Sequence, residues 1–149
     1  MLATCRELGV ALVPYAPLGR GLLTNAFSNS EPVTDKNDLR GVYFPRFQEA
    51  NRDTNVKLVG QLKSFADKKC CTTSQLAISW LLKQGDNIIP IPGTKKIKYL
   101  EENWGSLDVH LTDDEEKEIR KFVETAEIAG ARVPLKYMKG ILVETKEES

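Results

Sequence analysis

Two short stretches of this chain carry residue types whose spacing suits the binding of phosphate. In the first, Tyr15-Ala16-Pro17-Leu18-Gly19-Arg20-Gly21, glycines on both sides of an arginine let the backbone approach a ligand, and the guanidinium can neutralise a phosphate. Tyr15 adds an aromatic face for stacking. In the second, Ile91-Pro92-Gly93-Thr94-Lys95-Lys96, a glycine turn runs straight into a helical pattern. Free backbone N–H groups and the positive end of a helix dipole then meet a hydroxyl and two ammonium groups, a set that suits a phosphate monoester such as the 2′-phosphate of NADP. Glu102 and Asn103 lie about two helical turns beyond Thr94 and Lys95, which predicts all four on one side of the helix. There they offer hydrogen bonds to an adenine ring. Both stretches also have ordinary structural readings. A Gly-Arg-Gly turn is more often structural than not, and the second stretch, taken alone, is equally a capped helix with solvated lysines. Neither matches a P-loop or a dinucleotide-binding fingerprint.

Each stretch follows a short apolar run, at residues 10–15 and 87–92, without polar alternation. Such runs suit strands buried on both faces, as in a parallel sheet, and α/β proteins place their sites at the C-terminal ends of such strands. The intervening elements are predicted as helices. Residues 2–8 read as the end of a helix stopped by Gly9. Residues 16–54 read as a long loop, given packing material by Phe27, Tyr43, Phe44 and Phe47. A helix follows with Val59, Leu62 and Ala66 on one face and Val56 and Phe65 at its edges. Thr72 and Gln75 form a capping box for the next, with Leu76, Ala77, Trp80 and Leu81 as its buried stripe and Gly85 at its end. Ile97, Leu100 and Trp104 mark one side of a third. Thr112 and Glu115 cap a fourth, with Ile119, Phe122, Val123 and Ala126 facing inward. From about Ile128 the tail is irregular and ends in charge. The β/α order implies parallel strands with right-handed crossovers. Two strands are too few for a covered parallel sheet, so the pattern reads as part of a larger architecture.

Composition narrows the partners. The 149 residues carry 21 Lys+Arg against 21 Asp+Glu, so no net charge draws the chain to nucleic acid or to an anionic membrane. With 41% hydrophobic and 28% charged residues it reads as an ordinary soluble globular protein. No apolar run approaches the ~20 residues of a transmembrane helix, and the N-terminus does not read as a signal peptide. Three cysteines, Cys5, Cys70 and Cys71, make neither a disulfide framework nor a zinc spacing, which points to a reducing, cytoplasmic setting. A single histidine, His110, cannot assemble a His-rich metal site, and no metal is expected.

Taken in order, several separated motifs make the chain recognisable. Cys5-Arg6-Glu7-Leu8-Gly9, Val13-Pro14-Tyr15-Ala16-Pro17-Leu18-Gly19-Arg20-Gly21, Phe44-Pro45-Arg46-Phe47-Gln48, Cys71-Thr72-Thr73-Ser74-Gln75-Leu76-Ala77 and Ile91-Pro92-Gly93-Thr94-Lys95-Lys96 resemble the C-terminal part of an aldo-keto reductase. Within that family they are most similar to the plant branch of perakine reductase-like, auxin-induced members. The resemblance covers roughly residues 4–126. It implies an α/β fold, a partial (β/α)8 TIM barrel, with residues 10–15 and 87–92 as strands seven and eight and their helices beside them. Residues 1–126 would then be the C-terminal part of an NADP-dependent oxidoreductase barrel domain, and 127–149 an irregular tail.

The implied activity is NADPH-dependent reduction of aldehydes or ketones to alcohols, with a small carbonyl compound as substrate of the full-length parent. By this resemblance Tyr15 stacks on nicotinamide, and Ala16, Pro17, Leu18, Gly19, Arg20 and Gly21 follow the pyrophosphate. Gly93, Thr94, Lys95 and Lys96 take the 2′-phosphate, and Glu102 and Asn103 contact the adenine. Ala16 stands where relatives often carry serine, and Tyr99 where some carry a basic residue over the adenine. The family's catalytic Asp, Tyr, Lys and His come from the first four strands and match no residue here, so the 149 residues alone are expected not to reduce a carbonyl. Two strands with unpaired edges are expected to leave apolar faces exposed and the isolated stretch poorly soluble or molten. A non-catalytic cofactor-binding or regulatory protein, or a truncated product without function, are the alternative readings.

Overall fold

The computed structural model describes residues 1–28 and 38–138; part of the expected long loop and the charged end of the tail lie outside them. Helix α1 (Leu2–Glu7) closes at Gly9, whose φ of +65° is the left-handed stop expected there. Four short helical pieces follow: a 3-10 turn at Gly19–Gly21, α2 (Asn25–Ser28), α3 (Arg40–Tyr43) and a 3-10 turn at Pro45–Phe47. The long helices are α4 (Glu49–Lys68) and α5 (Thr73–Leu82), then α6 (Ile97–Trp104), a 3-10 turn at Gly105–Asp108, and α7 (Asp113–Thr125). Helix α8 (Leu135–Met138) interrupts the tail. The stretch read as loop to residue 54 is thus already helical from Glu49.

The two apolar runs pair in parallel, as their sequence implies, but among the described residues neither extends into a strand. Leu12 bridges Ile88 and Tyr15 bridges Ile91, and no ladder grows beyond these contacts. Proline accounts for this. Leu12 donates to Asn87 O at 2.7 Å and accepts from Ile89 N at 2.9 Å. The next rung would need an N–H on residue 14, which is proline, and only the long 3.5 Å bond from Ile91 N to Pro14 O remains. Pro90 and Pro92 remove two further donors from the other run.

Helices supply the core. Leu62 and Ala66 of α4, Leu76 of α5, Leu111 just before α7 and Ile119 within it form one buried cluster, flanked by Phe65, Trp80 and Phe122. Leu22, Phe27, Phe47 and Val59 form a second, with the rings of Phe27 and Phe47 edge to face at 5.6 Å. Leu23 packs against both. The predicted face of α4 is therefore the buried one, with one addition. Asn55, fully buried, donates to Arg46 O at 2.9 Å and Ala129 O at 3.0 Å, and accepts from Ala129 N at 2.9 Å. One amide thus joins α4 to the turn at Pro45–Phe47 and to the tail.

Three helix faces differ from expectation. On α5 the buried residues are Thr73, Ser74, Leu76, Ile78 and Ser79, whereas Ala77, Trp80 and Leu81 are half-buried. The shift follows from Ser79, whose hydroxyl donates to Ser106 O at 2.8 Å and brings the 3-10 turn after α6 onto that face. On α6 the apolar side is turned outward: Ile97, Leu100 and Trp104 are exposed, Trp104 at 72%, and the helix buries Asn103 instead. Val10, Val13, Ile89 and Ile91 on the paired segments are about half exposed as well. On α7, Ile119 is buried, Phe122 and Ala126 are half-buried and Val123 is exposed.

Both capping boxes form as expected. Thr112 Oγ1 accepts from Glu115 N at 3.2 Å, and Glu115 Oε2 accepts from Thr112 N at 2.8 Å. Lys69 reaches across from the end of α4 to the same carboxylate at 3.0 Å. The Thr112 amide, with Lys69 second, holds the Glu115 carboxyl below its ordinary 4.5. A carboxylate with a lowered folded-state pKa stabilises the fold above its unfolded value and ceases to do so as pH falls through the folded one. Glu115→Gln, which keeps a capping acceptor, should therefore cost up to about 1 kcal/mol at pH 7. The difference from the unaltered protein should shrink as pH falls below 4.5 and close once it passes the lowered folded-state pKa, read by denaturant unfolding.

Candidate functional site

The parallel bridges set the ends of the two runs side by side, and the loops that leave them enclose a cavity of about 660 Å³, within the ordinary range for small-molecule sites. One wall is the first loop. Its backbone is wound tightly: Ala16, Gly19, Arg20 and Gly21 all have positive φ, at 49°, 59°, 59° and 94°. For Ala16 and Arg20 this is an uncommon left-handed conformation that costs of order 1–3 kcal/mol, so surrounding bonds must enforce it. Ala16 O accepts from Gly19 N at 2.9 Å, Leu18 O from Gly21 N at 3.0 Å, and Gly21 O from the Thr24 hydroxyl at 2.7 Å.

Arg40 of α3 locks this wall from outside the motif. Its Nη1 donates to Arg20 O at 2.8 Å, and its guanidinium grips Asp38 with Nε at 2.9 Å from each carboxylate oxygen. The Arg40 hydrogen bonds hold the Asp38 carboxyl below its usual range, and Asp38 in turn raises Arg40. Arg40 therefore stays charged and placed. Arg20 itself projects differently, its guanidinium lying 4.1 Å from the centre of the Phe44 ring.

The second wall comprises Ile91, Pro92, Gly93 and Thr94 with Tyr99, Glu102 and Asn103 of α6. Asn103 is buried, and Glu102 accepts a hydrogen bond from the Thr72 hydroxyl at 2.8 Å. Thr72 is also the N-cap of α5, accepting from Gln75 N at 3.1 Å. A Cβ on Gly93 would meet nothing within 4 Å, so the open space there does not depend on glycine.

Of the residues singled out in the sequence, Ala16, Pro17, Leu18, Arg20, Gly21, Gly93, Thr94, Tyr99, Glu102 and Asn103 line one cavity. Tyr15, Gly19, Lys95 and Lys96 do not. Helix α6 begins at Ile97 rather than at Thr94, because the Thr94 hydroxyl accepts from Lys96 N at 3.2 Å and closes a local turn first. The lysines sit on that exposed turn, with Lys96 Nζ 5.6 Å from the centre of the Tyr99 ring. Tyr15 is half exposed under the guanidinium of Arg132, which also donates to its hydroxyl.

Sequence reasoning missed Thr24, Ala26, Arg40 and Ser74, which complete the lining. Ser74 lies in the first turn behind the Thr72 cap, a position the capping box already fixes. Arg40 carried one available signal, its spacing from Asp38. His110 lies elsewhere, at the exposed entry to α7 and on a separate cavity. Among the described residues no cluster of three His, Cys, Asp or Glu side chains could hold a metal, and no helix is long and apolar enough to cross a membrane.

The sequence that builds this site matches the model of the aldo/keto reductase family over residues 1–124. The chain belongs to that family. An aldo-keto reductase of Schizosaccharomyces pombe, whose name specifies NADP(+), is 45% identical over 134 residues, covering 90% of this chain and 39% of that protein. The protein named probable aldo-keto reductase 1 of Glycine max is 41% identical over 128 residues, 86% of this chain and 36% of its own length. The glycerol dehydrogenase of Gluconobacter oxydans superposes with a TM-score of 0.71 at 24% identity, over 88% of this chain and 39% of that one, a likeness of fold. This aldo/keto reductase chain thus spans well under half the length of the relatives it matches.

A Cβ on Gly21 would lie 2.6 Å from Arg40 Nη1 and would impose a φ of +94° on an L side chain. Gly21→Ala should therefore destabilise the protein by about 1–3 kcal/mol. The Arg40 end of the contact can swing aside, whereas the backbone cost cannot be relieved. Adding Arg40→Ala to Gly21→Ala in a double-mutant cycle should accordingly recover less than half of the loss.

Proposed function

We propose that this chain is the cofactor-gripping part of an NADPH-dependent aldo-keto reductase that reduces aldehydes or ketones to alcohols. The observation that carries the proposal is the single cavity into which two loops, some seventy residues apart in the chain, place a glycine-arginine turn and an acidic-amide pair. The residues present fit the group. Its phosphates need cations and free backbone donors, which Arg20, Arg40 and the Ala16–Gly21 turn offer. Its adenine needs polar edge contacts, which Glu102 and Asn103 offer. NADPH, when bound, supplies hydride to a carbonyl carbon.

In this reading Gly93 and Thr94, with Lys95 and Lys96 swung in from their exposed turn, take the 2′-phosphate. Tyr99 lies along the adenine, and Tyr15, released from Arg132, stacks on nicotinamide. Gly19 supports the pyrophosphate wall without lining it. Residues 10–15 and 87–92 are then the seventh and eighth strands of a (β/α)8 barrel, residues 1–126 are its C-terminal part, and the grouping with perakine reductase-like plant members rests on the separated motifs of residues 4–126 taken in order. A cytoplasmic protein with a small carbonyl substrate and no nucleic acid or membrane partner is consistent with its balanced charge.

The 149 residues by themselves are proposed not to turn cofactor over and, with open edges on the two paired runs, to be poorly soluble or molten. Tyr15 serves stacking in this reading, and His110 lies on a different cavity from the cofactor groups. NADPH oxidation by the purified chain with an aromatic aldehyde would count against this. In the full-length parent NADPH should raise the unfolding midpoint far more than NADH, whereas a sharp transition of the isolated 149 residues shifted upward by NADPH would overturn the expectation of a molten state. Replacing Lys95 and Lys96 together with alanine should weaken NADPH binding about tenfold or more and leave NADH unchanged, measured by nicotinamide fluorescence titration.

A further inference from the structure

The Thr72 hydroxyl takes part in two hydrogen bonds at once, and only one of them belongs to its own helix. As N-cap of α5 its Oγ1 accepts from Gln75 N at 3.1 Å, while Gln75 Oε1 accepts from Thr72 N at 3.0 Å. A hydroxyl retains one proton after accepting, and this one goes to Glu102 Oε1 at 2.8 Å, across thirty positions of sequence. The box leaves the hydroxyl little freedom, so the bond to Glu102 starts from a fixed point. Glu102 Oε2 takes no hydrogen bond among the described residues. A second contact fixes α6 against α5 in the same place: a Cβ on Gly105, the C-cap of α6, would lie 2.7 Å from Gln75 Nε2. The capping box of one helix is therefore also the seat of the cavity-lining end of another.

We infer that Thr72 is a positioning residue for base recognition, holding one oxygen of the Glu102 carboxylate so that the other is free to accept from an exocyclic amino group of the bound nucleotide. The inference rests on the cofactor reading given above and adds to it the residue that sets preference for an amino-bearing purine. A side chain free to rotate would lose part of that preference to its own disorder, and an anion placed beside the carboxylate would turn it away.

The discriminating substitution is Thr72→Asp. Aspartate is among the best N-cap residues, so α5 keeps its cap, but the donor to Glu102 is replaced by a like charge. Thr72→Ser keeps both functions. The probes are NADPH and its deaminated analogue, in which hypoxanthine replaces adenine and the amino donor is lost. The unaltered protein and Thr72→Ser should bind NADPH about tenfold tighter than the analogue, as expected for a hydrogen bond to a charged acceptor. In Thr72→Asp and in Glu102→Ala the ratio should fall to within about twofold, with the unfolding midpoint of Thr72→Asp close to that of the unaltered protein. A merely structural role would weaken both ligands equally and leave the ratio intact. If Glu102→Ala collapses the ratio and Thr72→Asp does not, the positioning role is wrong and the cofactor reading stands. If the unaltered protein binds neither ligand, or shows no preference that Glu102→Ala removes, the assignment of Glu102 to the base falls and this inference falls with it.

Discussion

Three backbone hydrogen bonds between residues 12–14 and 87–91 decide where everything else in the site goes. They are few because prolines occupy the positions that would extend them, and they weaken along their length, from 2.7 Å at Leu12 to 3.5 Å at Ile91. Yet they set the exits of the two runs side by side, and the exits are where the glycine turns begin. Ile88 is buried on one side of this pairing, whereas the two helical clusters that meet at Leu23 include none of its residues. The other side of the pairing, with Val10, Val13, Ile89 and Ile91 half exposed, contributes no comparable packing.

The first loop illustrates how a strained backbone is kept. Two non-glycine residues sit at positive φ, and each lies next to a carbonyl bonded within the turn or to Arg40. Arg40 is itself held by Asp38, so a local ion pair two residues apart maintains a backbone shape twenty residues away. The strain and the pair belong together: without a fixed donor on Arg20 O, the turn has cheaper conformations available.

Local chemistry was easy to read from the residues, and arrangement between elements was not. Thr72 with Gln75 and Thr112 with Glu115 are short-range patterns with one physical meaning, and both form. The stop at Gly9 and the buried face of α4 are of the same kind. The apolar side of α6 was visible as periodicity, but periodicity does not say what lies opposite, and here Asn103 faces inward while Trp104 faces out. Two helix starts differ from expectation for different reasons: Thr94 closes a turn before α6, and α4 starts within what composition marked as loop. Within the site, the glycine-arginine turn and the Glu102–Asn103 pair were legible because they sit in motifs. Arg40 and Ser74 were not, since each enters the cavity from an element with another job.

Asn55 carries a consequence of a different sort. The tail near Ala129 has no helix or ladder around it, yet its amide is bonded to a buried side chain of α4. Slow hydrogen exchange at Ala129 would therefore report the opening of a helix more than seventy residues earlier, not any order of the tail itself. Segments distant along the chain are in this way tied into one opening unit, with the Asn55 amide at its boundary.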